Sequence, residues 1–313
     1  VVKSRGMDVE QMVRREPSSL VISLTRDATE FWGRQNKNKQ PLTLEAAVKQ
    51  IRDTLTAAQQ YIAGGAREFN QRFEALRPAL ARQVPVIVHA KRTDEIRAAI
   101  DLARDFHLRF IVSGAVQAHR LSKELAAAGV EGIILGDAGT YTSDIRGGGD
   151  DYNMQSAAIL SRAGLKVGFF GPGASRRATP TGRLDGETVL NAAWAFRNGA
   201  TEEEALKMVT LYPAEMSDMG SRIGSLDAGK DADLVVLEGH PFDYRAIPQI
   251  VYIDGRLVHS SVSPTASTDT ASALPDSLVQ QLTGAAAAMA LMGLVFVCRL
   301  LLRTPASIRR SQA

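Results

Sequence analysis

From Val84 onward the chain alternates short β-branched runs with stretches of helical spacing, and this alternation limits the fold more than any other feature. VPVIVHA, starting at Val84, is the continuous apolar run that a parallel strand buried on both faces requires. Thr93-Asp94-Glu95 then opens a helix with acidic residues at its positive end. The unit repeats as LRFIV (108–112) with a helix over 117–128, VEGIIL (130–135) with a helix over 152–163, and LKVGFF (165–170) with a helix over 185–198. Such repetition predicts a parallel α/β sheet or barrel. Upstream, LVISL (20–24) has strand length and reads as a buried strand. Thr43 is placed to cap a helix that runs to about Ile62, Gly64-Gly65 breaks it, and Phe69, Phe73, Leu76 and Leu80 mark a second helix by their spacing. Thr201 caps a further helix with Glu202, Glu203 and Glu204 in its first turn.

The pattern changes after Ile223. Two β-rich runs, 233–237 and 250–253, are separated by a Gly/His/Pro/Asp loop, and Asp254-Gly255 favours a tight hairpin turn before Arg256 to Val258. The wording of this stretch, IGSLDAGKDADLVVLEG followed by VYIDGRLV, resembles the end of amidohydrolase-superfamily enzymes of the imidazolonepropionase-like kind. The resemblance implies a partial TIM-like (β/α)8 barrel over 1–222, comprising about strands four to eight, and the C-terminal half of a composite β-sandwich over 223–259. It also implies that a second polypeptide supplies strands one to three and the rest of the sandwich, because a barrel needs its full ring to close its core.

The same resemblance implies a metal site at the C-terminal ends of the strands, where metal-bound water attacks an amide carbon. Its usual ligands are an H-x-H pair on strand one, a Lys or Glu on strand four, one His each on strands five and six, and an Asp on strand eight. Strand four here ends in LVISLTRDATE, with Val21 and Thr25 in place and Asp27 the nearest carboxylate. Strand five ends in His89, which keeps the family's wording and is the one residual metal-ligand candidate. Strand six ends in Ser113 rather than a histidine, and the strand-eight end GFFGPGAS puts Gly173 or a neighbour where the aspartate belongs. His107, His119, His240 and His259 show no ligand spacing, and Gly147-Gly148-Gly149 reads as a linker rather than a phosphate loop. No catalytic residue is assigned, no cofactor is expected, and zinc or a similar divalent ion is implied only if the site is active.

Composition narrows the classes further. At 45% hydrophobic and 23% charged the chain is globular, and a net charge of +3 without a basic, aromatic-studded stripe argues against nucleic acid. The single cysteine, Cys298, excludes an internal disulfide framework and a Cys-rich zinc site. Residues 260–277 form a Ser/Thr/Ala/Pro linker. Leu282 to Cys298 carry no charge, and with the leucines beyond Arg299 the run reaches the roughly 20 residues that cross a bilayer, so 278–303 reads as a single-pass transmembrane helix packing on other membrane subunits. A basic tail follows over 304–313, and the expected location is a membrane, the mitochondrial inner membrane ahead of a bacterial envelope. Three function classes follow: a degenerate, membrane-anchored accessory subunit of a larger membrane complex, a respiratory one by analogy; an active metal-dependent hydrolase of carbon–nitrogen bonds completed by another chain; and a ligand-binding module without chemistry.

Overall fold

The parallel strands form where the sequence places its β-branched runs. The structure, a computed structural model, describes residues 3, 9–26, 28, 41–64, 68–136, 153–169, 187–243 and 245–261. Strands β1 (Leu20–Ser23), β2 (Val86–His89), β3 (Phe110–Ser113), β4 (Gly132–Leu135) and β5 (Val167–Phe169) lie side by side in that order, each pair parallel. The α/β class with a parallel sheet is therefore observed. A short helix α1 (Val9–Met12) precedes the sheet, and helices α2 (Leu44–Ala63), α5 (Thr93–Asp105), α6 (Ser122–Ala127), α7 (Ser156–Arg162) and α8 (Glu187–Arg197) alternate with or follow the strands. Between α2 and β2 come two one-turn helices, α3 (Gln71–Glu74) and α4 (Arg77–Leu80).

Alternation along each strand divides the side chains between two faces. Val86, Val88, Phe110, Val112, Ile133, Leu135, Val167 and Phe169 enter the main core with Leu55 of α2 and Ile96, Ala99 and Leu102 of α5. The opposite face carries Val21, Ile87, Ile111 and Gly132 in one row and Ser23, His89, Ser113 and Ile134 in the next. At its lower end this face is covered by α10 (Leu211–Met216), which follows α9 (Glu202–Lys207); Gly132 leaves the space that the Met216 side chain fills.

Several expectations need correction. LVISL is an outer strand among the described residues rather than a buried one: Val21 is 55% exposed, because β1 pairs there with β2 alone. The helix expected from Phe69 is replaced by α3 and α4, with Phe69 80% exposed. Asn70 caps α3 through Arg72 N and Phe73 N at 3.1 and 3.3 Å, and Pro78 sits in the first turn of α4, so each turn starts afresh. The helix expected over 117–128 opens as a 3₁₀ turn, Ala118–Leu121, before α6.

The second sheet is antiparallel, with β6 (Leu234–Glu238), β7 (Ile247–Ile253) and β8 (Arg256–Ser260) in that order. Val235, Val251 and Ile253 form a small core against Val189 of α8, whereas every residue of β8 is exposed. Arg109, at the start of β3, clamps Glu131 at 2.7 and 3.0 Å and Asp218 at 2.5 Å, and Arg15 reaches the same Asp218 at 2.8 Å. The chain before β1, the sheet and the turn after α10 thus meet at one ion network. Among the described residues no helix is long and apolar enough to cross a membrane; the span expected at 278–303 lies outside them, as do residues 262–313 generally.

Candidate functional site

Parallel register sets the geometry at the upper end of the sheet. Ser23 pairs with His89, and His89 with Ser113, so three polar side chains occupy one row on adjacent strands about 4.8 Å apart. They sit at the C-terminal strand ends, where open α/β sheets bind ligands. The ladder continues past them, Leu24 N donating to His89 O at 2.9 Å and Ala90 N to Ser113 O at 3.0 Å, which fixes the row. Thr25 extends it, its hydroxyl 3.1 Å from that of Ser23. Ser113 is fully buried, and its hydroxyl has no hydrogen-bond partner among the described residues.

His89 is half-buried, and burial pushes its imidazole pKa down, with the Lys91 charge adding to the effect; the ring is held neutral. Beside it, the buried Glu95 is spent on the chain turn after β2, accepting from Lys91 N at 2.7 Å and Arg92 N at 3.2 Å. Burial raises the Glu95 pKa against the opposing pull of those two N–H groups. Gln117 ties the neighbouring turns together: its N–H donates to Lys91 O at 2.9 Å, and its side-chain oxygen accepts from Thr93 N at 2.9 Å. Gly114 takes a left-handed conformation (φ 76°) that turns the chain away directly above Ser113.

The structure places the other histidines apart from this row. His119 lies with Nδ1 3.2 Å from both Val116 O and the Ser156 hydroxyl, joining the 3₁₀ turn to the start of α7. His107 closes α5 in a left-handed turn, His240 bonds Glu202 at 3.0 Å, and His259 is exposed on β8. Asp27, Gly147-Gly148-Gly149 and Gly173 lie outside the described residues. A catalytic divalent ion usually takes at least three protein ligands. The described row offers one imidazole and hydroxyls, which does not make up such a set.

A second cluster escaped the sequence. Asp231, Asp233 and Asp254 bring their carboxylate oxygens within 4.8 Å of one another. The Lys3 ammonium sits among them, bonded to Asp231, 2.9 Å from Asp233 and 2.5 Å from Asp254. Arg14 reaches Asp254 at 3.3 Å and Arg222 reaches Asp231 at 2.9 Å. The D-A-D and D-G spacings were visible, but nothing in the sequence ties Lys3 to them.

Residues 174–262 match the amidohydrolase family. The chain is 29% identical over 188 residues to the amidohydrolase tasK of Hapsidospora irregularis, a match covering 58% of this chain and 18% of that protein. It is 44% identical over 57 residues to the N-substituted formamide deformylase of Arthrobacter pascens, covering 18% and 10% of the two chains. The matched segments thus span less than a fifth of either relative. The crystal structure of an amidohydrolase from Thermotoga maritima MSB8 superposes with a TM-score of 0.73 at 29% identity, over 83% of this chain and 67% of that one. The chain is therefore similar to the amidohydrolase family over 174–262, and its parallel α/β sheet is similar to that of the Thermotoga maritima amidohydrolase.

Proposed function

We propose that this protein is a hydrolase-derived module that is non-catalytic by itself and serves as a membrane-anchored accessory subunit. The observation that carries the reading is the pair His89 and Ser113: where the family resemblance implies two imidazoles on adjacent strand ends, the second is a buried serine. Serine hydroxyls are poor ligands for zinc, which favours imidazole, thiolate and carboxylate. Among the described residues β1 and β5 are the outer strands and β8 is exposed, edges at which a second polypeptide supplying the remaining barrel strands and the rest of the sandwich would pair. The anchor belongs to the same proposal and is supported by the uncharged run from Leu282 to Cys298.

A second reading is favoured by the neutral His89, since an imidazole must be deprotonated to bind metal. In it the completed barrel hydrolyses a carbon–nitrogen bond, with His89 as one ligand and the others drawn from outside the described residues. Elemental analysis of the intact full-length protein, together with turnover of an N-substituted formamide, separates the two. The first reading expects far less than one zinc, iron or manganese ion per chain and no turnover. Stoichiometric metal with turnover overturns it in favour of the second.

A further inference from the structure

We propose that His240 is a pH-sensitive latch on the turn between β6 and β7, holding the Phe242 peptide while its ring is neutral and releasing it when the ring is protonated. The device works whether or not the strand ends hold a metal.

His240, Pro241, Phe242 and Asp243 make a four-residue turn, closed by a bond from Asp243 N to His240 O at 2.8 Å. Proline stands at its second position, where a fixed φ suits the turn. Inside the turn, Phe242 N donates to His240 Nδ1 at 3.1 Å. A ring nitrogen that accepts carries no proton, so the neutral ring bears its hydrogen on Nε2, which donates to Glu202 at the start of α9 at 3.0 Å. One imidazole thus spends both nitrogens, one on the turn and one on the helix. The Phe242 ring lies edge-on to the imidazole, with centroids 5.4 Å apart, and packs on Phe196 of α8 at 5.9 Å. Phe242 also borders the main core, so the turn is a place where the antiparallel sheet's loop meets the α/β unit.

A second proton on this ring can enter only at Nδ1. Two donors, Nδ1–H and Phe242 N–H, then point at each other across the same short gap. Among the described residues the charged groups facing the ring are two carboxylates, Glu202 from α9 and Asp243 from the turn. Asp243 stays ionised throughout, since hydrogen bonds from the Arg245 side chain and backbone lower its pKa to about 2. From α8 the turn meets only the uncharged Phe196. Both carboxylates favour an imidazolium staying where it is, so the ring remains on Glu202 and the Phe242 peptide yields. The Asp243 N to His240 O bond does not involve the ring. The turn therefore survives, and the change is confined to Phe242, which uncovers more of Phe196, already 40% exposed.

The test titrates the isotope-labelled full-length protein from about pH 8 to about pH 5, the range in which histidine ordinarily changes charge. The His240 ring shifts, the Phe242 amide shift and the Phe242 hydrogen-exchange protection are followed together. All three are expected to share one midpoint, with Phe242 protection about fivefold lower in acid, the loss of one neutral hydrogen bond. His240→Asn places a side-chain oxygen that accepts the same N–H two residues on and does not titrate. That variant is expected to keep the protection and to hold it flat across the range. His240→Ala is expected to show the low, acid-state protection at every pH. His240 is half-exposed, so both variants are expected to fold. A Phe242 amide that does not follow the His240 ring overturns the proposal, and so does a wild-type pH profile in His240→Asn or high protection in His240→Ala.

Discussion

Lys3 is the residue on which the second sheet's charges converge. Its side chain is 3% exposed and faces Asp231, Asp233 and Asp254. Burial pulls its pKa down, but hydrogen bonds to Asp231, Asp254 and Asp233 outweigh that and leave it raised above 10.5. A pKa raised in the folded state means that the ammonium's contribution is complete below the unfolded value and is lost as pH climbs through the folded one. Lys3→Met removes one partner and leaves the carboxylates facing one another, so urea denaturation at pH 7 is expected to show a loss of about 3 kcal/mol. The gap between variant and wild type is expected to narrow once the pH passes 10.5, the lysine's ordinary value, and climbs toward its raised one. A difference that stays constant across that range contradicts the assignment.

At the scale of elements, the turn from β2 into α5 shows how one side chain secures the site. Glu95, in the first turn of α5, reaches back to the N–H groups of Lys91 and Arg92, the two residues that lead into the helix. Glu95→Ala is expected to cost about 1–2 kcal/mol in chemical denaturation. Glu95→Gln keeps an acceptor and removes a charge whose burial is unfavourable, so its loss is expected to be smaller; equal losses would show that packing rather than the cap is lost. The parallel strands were legible because each is a compact apolar run with a buried face, as in VPVIVHA. His89 was legible for the same reason, since it ends that run. That the Ser113 hydroxyl finds no partner among the described residues was not, because satisfaction depends on what surrounds a side chain in space. Nor was the exposure of Val21: an edge strand and a central one share the same composition, and only the neighbours distinguish them. The early end of the helix expected from Phe69 could be anticipated only by weighing Asn70 and Pro78 against apolar spacing.

For the whole molecule, the proposed anchor and the described sheets make separate demands. If 278–303 crosses a bilayer, alkaline carbonate washing of membranes is expected to leave the full-length protein in the pellet, while a version ending at Asp276 is released. Release of both, or retention of both, removes the support for an anchor. Within the described residues the longest reach is that of Lys3, whose bonds to Asp231 and Asp254 join positions 228 and 251 residues apart. That separation has a consequence for the order of assembly. Closing so long a loop carries a chain-entropy cost that is repaid only after both ends are built and docked. During synthesis the parallel strands are complete before the Asp254 turn has been made, so the sheet can form while its first residues are still untied. The lysine's bonds to Asp231 and Asp254 are then completed only after that turn has been made.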